Sequence, residues 1–410
     1  MNNKKLATSS TKYYFPLFTS SSSSDFSLLE EVLADSPGYN QSNNANMLIA
    51  SNDAQAVKTF LLDYREAKLT YRSYLKEIER LILWCIHVPR ISLSDLKREH
   101  LIDYRKFILD PQPKHQWCGT RQAKLLKNGD FNPEWRPFVA GLSPPTARKT
   151  MSILDSFFNY LVQNNYFAGN PLAVDKRRKG QKSNSTERWL EKDEINTTLE
   201  ALNLYKEHTP DKTFEIARAK YILLTLFYTG LRLAELAKHH MGNFTLIESE
   251  WYLKVIGKGE KPRNIVVVDE YLDILSKFRR EMGLKNALPE FGETTPLIPS
   301  LSKNKPITDN RIAQILKWAF ELGAQRYESL IAQDESERSI FQHKASKLRN
   351  ASPHWLRHSY GTYLVKSGCQ IEKVRELMGH SDISTTMIYV HIAKRDLHHS
   401  ARSLTLGEDN

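Results

Sequence analysis

The sequence predicts a mainly α-helical protein with one small antiparallel β-sheet, an α+β chain of two folded domains. Three observations carry that expectation. Apolar residues recur every three to four positions through most of residues 51–175 and again from 189 onward, the period of one helix face. Strand-like composition is confined to FTLI (244–247), WYLKVI (251–256) and NIVVV (264–268), the last two joined by the turn GKGEKPR. Between the helical stretches lies DKRRKGQKSNSTERW, a basic run with Gly, Ser and Asn interleaved, which reads as a linker over 176–188. A chain of 410 residues is long enough to give each domain its own core.

The elements follow in order. Residues 1–50 contain TSSSSSD and GYNQSNNAN, polar low-complexity sequence that cannot repay its ordering entropy. A disordered tail is expected there, with at most a short helix over Phe26–Ala34. The first domain, 51–175, opens with NDAQAVKTFLLDYREA, for which Asn52 or Asp53 is the N-cap. TYRSYLKEIERLILWCIH follows, with Thr70 as cap and Leu75, Ile78, Leu81, Ile82 and Trp84 as its buried stripe. SLSDLKREHLIDYRKFIL is a third helix, and SPPTARKTMSILDSFFNYLVQNN a fourth with proline at its start. Residues 110–143, rich in Pro, Trp and Gly, form an inserted loop whose length points to a function or to disorder. The second domain, 189–392, sets helices on both sides of the strands, and residues 393–410 end the chain as a polar tail.

Charge bounds the partner. Lys plus Arg number 58 against 47 Asp plus Glu, a net charge of +11, which favours a polyanion: nucleic acid or an anionic membrane surface. Cys85, Cys118 and Cys369 are too scattered for a disulfide framework, so a reducing compartment is expected. His115 and Cys118 in KHQWCG lack a second ligand pair, so no zinc site is expected. No run approaches the ~18 apolar residues of a membrane span, and YYFPLF is too short for a signal peptide. The expectation is a soluble cytoplasmic protein.

Chemistry-bearing residues sit in four short stretches. In YTGLRLAEL, Arg232 follows Gly230 where a helical pattern restarts, an arrangement that suits an anion. In IGKGEKPRN, Lys258 stands between glycines in a hairpin turn, with Lys261 and Arg263 beside it. In PHWLRHSYGTYLV, His354 and Arg357 are three apart and share a helix face. In LMGHSDISTTMIYVH, His380 follows a helix-ending glycine and Tyr389 lies in the next helix. Each stretch alone has an ordinary structural explanation: a surface arginine, a solubilising turn lysine, a half-buried tyrosine.

Taken in order, these stretches resemble the tyrosine recombinases, the phage-integrase family, across roughly 189–392 and more loosely over the helical domain and linker before it. The resemblance implies a helical core-binding domain and a catalytic domain that form a clamp around DNA. It implies an active site of Arg232, Lys258, His354, Arg357, His380 and Tyr389, with Tyr389 as nucleophile. On that reading the two arginines fork onto the oxygens of a scissile phosphate, and no metal or other cofactor is needed. His354 is the base or proton relay, His380 bonds the phosphate or the tyrosine oxygen, and Lys258 protonates the departing 5′-hydroxyl. The product is a 3′-phosphotyrosyl bond, and the reaction is site-specific recombination through a four-way junction, integrating or excising a mobile element such as a prophage.

Tyr71, Arg72, Tyr74 and Lys76 on one helix and Arg148 and Lys149 on another are candidates for the major groove or its phosphates. Arg177, Arg178, Lys179 and Lys182 of the linker, with Lys261 and Arg263, complete the candidate DNA contacts. The implied partners are double-stranded DNA carrying specific sites, three further copies of the chain in a homotetramer, and an accessory DNA-bending host factor. The implied location is the nucleoid of a bacterial cytoplasm. Two alternatives share the fold: a type IB-like topoisomerase that cleaves without exchanging partners, and a non-catalytic DNA-binding protein.

Overall fold

The computed structural model describes residues 16–19, 25–33, 39–173, 188–257, 261–331, 335–390 and 392. They fall into two compact units that divide at residue 181. No described helix is long and apolar enough to cross a membrane.

The first unit holds α1 (Ser27–Val32), α2 (Asp53–Leu62), α3 (Lys68–His87), α4 (Arg98–Leu109), α5 (Lys114–Trp117) and α6 (Pro144–Gln163). Local chemistry starts these helices where the sequence indicates. The Asn52 side chain accepts the Gln55 N–H at 3.0 Å and caps α2, and proline opens α6. Phe60 sits at the centre, with the rings of Tyr74, Phe157 and Tyr160 at 5.4, 5.0 and 5.1 Å. Each fully buried side chain of this kind contributes about 1.5–3 kcal/mol.

Two expectations about this unit need correction. The described parts of 1–50 are packed, because Leu17, Phe18, Phe26 and Leu29 find places in the core. The carboxylate of Glu79 on α3 accepts the N–H groups of Leu17 and Phe18 at 3.0 and 3.3 Å and the Lys124 ammonium at 2.8 Å. It thereby ties both the amino-terminal segment and the 110–143 insertion to α3. That insertion is ordered around buried Trp117, Trp135 and Phe138. Thr70 lies within the first turn of α3 rather than at its cap, since the helix begins at Lys68.

The second unit holds α7 (Lys192–His208), α8 (Thr213–Thr229), α9 (Leu233–Lys238), β1 (Phe244–Ile247), β2 (Glu250–Ile256), β3 (Pro262–Val267), α10 (Asp269–Met282), α11 (Asp309–Ile331), α12 (Arg338–Asn350), α13 (Pro353–Lys366) and α14 (Ile371–Met378). Residues 383–390 form a further helix. The antiparallel sheet has the order β1-β2-β3, with Phe244 opposite Leu253 and Leu253 opposite Ile265. Leu253, Val255, Ile265 and Val267 alternate inward, as the two-residue period of a strand requires. α8 is the hub: α10, α13, α7 and β3 pack on it. The polar residues just before His354 lie on α12, which packs along α11.

Candidate active site

α8 ends at Gly230, whose φ of 58° is left-handed, and a Cβ there would lie 2.3 Å from the Tyr360 ring. Glycine is the residue that fits both demands. The chain turns at once into α9, which puts Arg232 at the helix start. The Arg232 N–H donates to Glu235 Oε2 at 2.8 Å, while its guanidinium donates to Glu235 Oε1 at 2.8 Å and to the Gly379 carbonyl at 2.7 Å. Arg263 on β3 grips the same carboxylate from the other side, at 2.9 and 2.8 Å. Burial works against the Glu235 charge, but the Arg263 hydrogen bonds and then the Arg232 N–H overcome it and hold the carboxyl down at about 2.

Arg357 enters from α13, 3% exposed, and donates to the carbonyls of Gly230 and Met378. It thereby ties the end of α8 to the end of α14. Burial and then the charge of Arg232 bring its pKa down to about 10, so it stays cationic at neutral pH. Two guanidiniums thus share one place, and their repulsion is eased by a single carboxylate and by backbone carbonyls. Such an arrangement suits an anion that accepts from both guanidiniums.

Tyr389, 1% exposed, lies with its ring against the backbone of Gly361, where a Cβ would come within 2.8 Å of it. Its hydroxyl is hydrogen-bonded to His358 Nδ1 at 3.2 Å. Burial pushes the phenol up to about 12, while the charges of Arg357 and Arg232 pull the other way. His380 follows Gly379, which ends α14 with a φ of 60°. Its ring stacks 6.2 Å from that of Tyr389, and its Nδ1 is hydrogen-bonded to the Thr386 hydroxyl at 2.9 Å. His354 is exposed at the rim of a cavity of about 970 Å³, its ring 5.6 Å from that of His358.

All three histidines are lowered, first by burial and then by neighbouring positive charge: Arg357 and then Arg232 for His354 and His380, His354 and then Arg357 for His358. His358 and His380 reach about 4. A stability prediction follows. The unfolded chain takes up protons on these rings below about 6.5 and the folded chain does not, so stability present above 6.5 is lost as pH falls toward 4. For the largely buried His358 the full loss is on the order of 3 kcal/mol, and for the half-exposed His380 it is smaller. Urea midpoints measured from pH 7 to pH 4.5 should fall, and should fall less in His358→Asn.

Of the residues singled out in the sequence, Arg232, Arg357, His380 and Tyr389 come together, and His354 lies alongside through His358. Lys258 lies outside the described residues, as do Arg177, Arg178, Lys179 and Lys182. Arg263 is not available to a groove, because Glu235 holds it with its side chain 9% exposed. Tyr71 is buried at 5% in the helical core, and Tyr74 is half-buried against Phe60, so neither presents a free face. Arg72, Lys76, Arg148, Lys149 and Lys261 are exposed. Arg72 and Lys76 line a cleft of about 730 Å³ with Arg121 and Lys124 of the insertion. Sequence reasoning missed Glu235 and His358. Both carried a signal, since Glu235 is three residues from Arg232 and His358 four from His354, spacings that share a helix face.

A family model described as the phage integrase family matches residues 188–396. A tyrosine recombinase of Thermosipho africanus is 28% identical over 336 residues, spanning 80% of this chain and 99% of that protein. Tyrosine recombinase XerD of Brucella abortus is 28% identical over 261 residues, 63% of this chain and 75% of the relative. Among solved structures, XerH site-specific recombinase bound to palindromic difH substrate matches with a TM-score of 0.52 at 18% identity, over 86% of this chain and 84% of that one. The Tn1549 transposon integrase in complex with transposon right end DNA matches with a TM-score of 0.50 at 14% identity, over 84% and 98%. The structural matches speak for the fold. The family model covers more than half of the chain and spans Arg232, Arg357, His380 and Tyr389, so this chain belongs to the phage integrase family, the tyrosine recombinases.

Proposed function

We propose that the chain is a site-specific DNA recombinase that cuts and rejoins duplex DNA through a 3′-phosphotyrosyl intermediate, in the service of a mobile element. The observation that carries this reading is that the Tyr389 phenol lies in the field of both Arg357 and Arg232. A phosphodiester bound by those guanidiniums gains negative charge on its non-bridging oxygens as Tyr389 Oη attacks, and each planar donor fork stabilises that charge. Its arrival also offsets the positive charge that adds to burial in keeping the histidines neutral, which favours His380 as a hydrogen-bond donor to phosphate. Lys258 is the proposed acid for the departing 5′-oxygen. The energy of the broken strand stays in the phosphotyrosyl bond, so a second 5′-hydroxyl reseals it without ATP.

The first unit supplies the other DNA contacts in this proposal, through Arg72, Lys76 and Arg121 beside the α3 cleft and through Arg148 and Lys149 on α6. Exchange of strands through a four-way junction requires two duplexes, hence the proposed homotetramer, with a DNA-bending host factor as accessory and the bacterial nucleoid as the place of action.

The test begins with a duplex selected from a randomised library by binding to the Tyr389→Phe protein. A nicked version of that duplex should form a covalent complex with the wild-type chain. The Tyr389→Phe variant should bind it with unchanged affinity and form no complex, a rate loss beyond measurement. Binding without any adduct from the wild-type chain would leave a DNA-binding protein. An adduct followed by relaxation of supercoils, with no joined partners, would leave a topoisomerase.

A further inference from the structure

We propose that His358 is the proton acceptor for the Tyr389 hydroxyl, with His354 carrying the proton onward to the solvent of the adjacent cavity. The inference rests on the strand-transfer reading above and assigns one step within it. Placement on α13 is the first argument. His358 and Gly361 are three apart and share a face. The missing side chain of Gly361 lets the Tyr389 ring lie on that face, where a Cβ would stand 2.8 Å from the ring. The ring so seated delivers its hydroxyl to His358 Nδ1 at 3.2 Å, within the reach of a general base whose hydrogen bond tightens once substrate is bound.

The alternatives are worse placed. His380 uses Nδ1 on the Thr386 hydroxyl. His354 lies 5.6 Å from the His358 ring, one turn further from Gly361, and lines the cavity that His358 also lines together with His343, Lys347 and Arg188. That geometry makes a short path: phenol, His358, His354, solvent.

The groups facing His358 are His354 and Arg357 on its own helix, Arg188 from the segment before α7, His380 and Tyr389 beyond α14, and His343 and Lys347 of α12 across the cavity. Arg357, Arg188 and Lys347 among them are cationic; burial first, and then the charges of His354, Arg357 and Arg188, keep the imidazole neutral with a pKa of about 4. A neutral ring with its proton on Nε2 accepts the hydrogen bond at Nδ1. A phosphodiester on Arg232 and Arg357 then offsets the repulsion and makes the ring basic enough to take the proton. In the step itself the Tyr389 O–H bond breaks and its proton goes to Nδ1. The Oη–phosphorus bond forms and the bond from phosphorus to the 5′-oxygen breaks, the 5′-oxygen taking a proton from the proposed acid Lys258. Rejoining reverses each move.

The experiment is single-turnover adduct formation on the selected nicked duplex, from pH 5.5 to 9.5, for wild type, His358→Asn and His358→Phe. Binding of the same duplex controls for folding. Wild type should be nearly flat with pH. Both variants should lose about 10²–10⁴-fold at pH 7 and recover about tenfold per pH unit, because solvent hydroxide must then take the proton. Replacing Tyr389 by the more acidic 3,5-difluorotyrosine should rescue the variants far more than it alters wild type. Wild-type rates in both variants, or a constant loss at every pH with no fluorotyrosine rescue, would overturn the assignment while leaving the recombinase reading intact. Absence of an adduct from wild type itself would instead overturn that reading, and the assignment with it.

Discussion

Arg357→Ala is expected to slow adduct formation by 10³-fold or more at saturating protein and to destabilise the fold by several kcal/mol. Loss of one fixed donor to a developing oxyanion commonly costs about 10²–10³ in rate, and Arg357 offers a fork rather than a single donor. The stability cost has a separate origin. Arg357 satisfies the carbonyls of Gly230 and Met378, and leaving a buried acceptor unpaired costs about 1–3 kcal/mol each. Both carbonyls precede a turn that aims a site residue, Arg232 after Gly230 and His380 after Met378. Loss of the arginine therefore loosens its neighbours as well. Urea denaturation reads the stability cost, and single-turnover cleavage of folded protein at low temperature reads the rate loss. Arg357→Lys should recover part of the stability and little of the rate, because one ammonium cannot hold two carbonyls and fork a phosphate. A variant that cleaves at the wild-type rate would remove Arg357 from the chemistry.

Glu235→Gln is expected to have the larger effect on folding, a loss of about 3–5 kcal/mol. The wild-type carboxylate, 5% exposed, lies between the guanidiniums of Arg232 and Arg263. The amide keeps the shape and removes the charge, so the buried Arg263 and the half-buried Arg232 are left with no anion between them. The pH dependence gives a second readout. A carboxyl held at about 2 contributes stability that is fully present above its usual 4.5 and lost as pH falls from 4.5 toward 2. Wild type and variant should therefore converge in urea midpoint across that acid window, below the one in which the histidines act. Adduct formation should fall too, because Arg232 loses the brace that aims it.

Much of this arrangement is written locally. The cap at Asn52, the proline opening α6, the three strands and the glycines before Arg232 and His380 follow from short-range rules about caps, alternation and left-handed backbone. The ordered reading of those stretches picked out Arg232, Arg357, His380 and Tyr389, which the fold brings together, because each lies in a motif with its own turn chemistry. What escaped the sequence depends on tertiary packing. Leu17 and Phe18 lie just before a polar low-complexity run and are held by Glu79, 61 or more residues away, a contact that composition cannot reveal. Tyr71 shares its helix with basic residues yet points to the core. Arg263 stands in a hairpin where a DNA contact is the natural reading, and is consumed by a carboxylate 28 positions earlier. His358 looks like a neighbour of the motif, and becomes the partner of the tyrosine only once Gly361 lets the ring approach.

The most direct measurement is to identify the linked atom. The covalent complex formed on the selected nicked duplex should be digested and its DNA-bearing peptide sequenced by mass spectrometry. The account predicts one modified peptide, carrying a 3′-terminal phosphate esterified to the Tyr389 oxygen. A link to any other side chain, or a tyrosine joined to the 5′ end of the break, would contradict it.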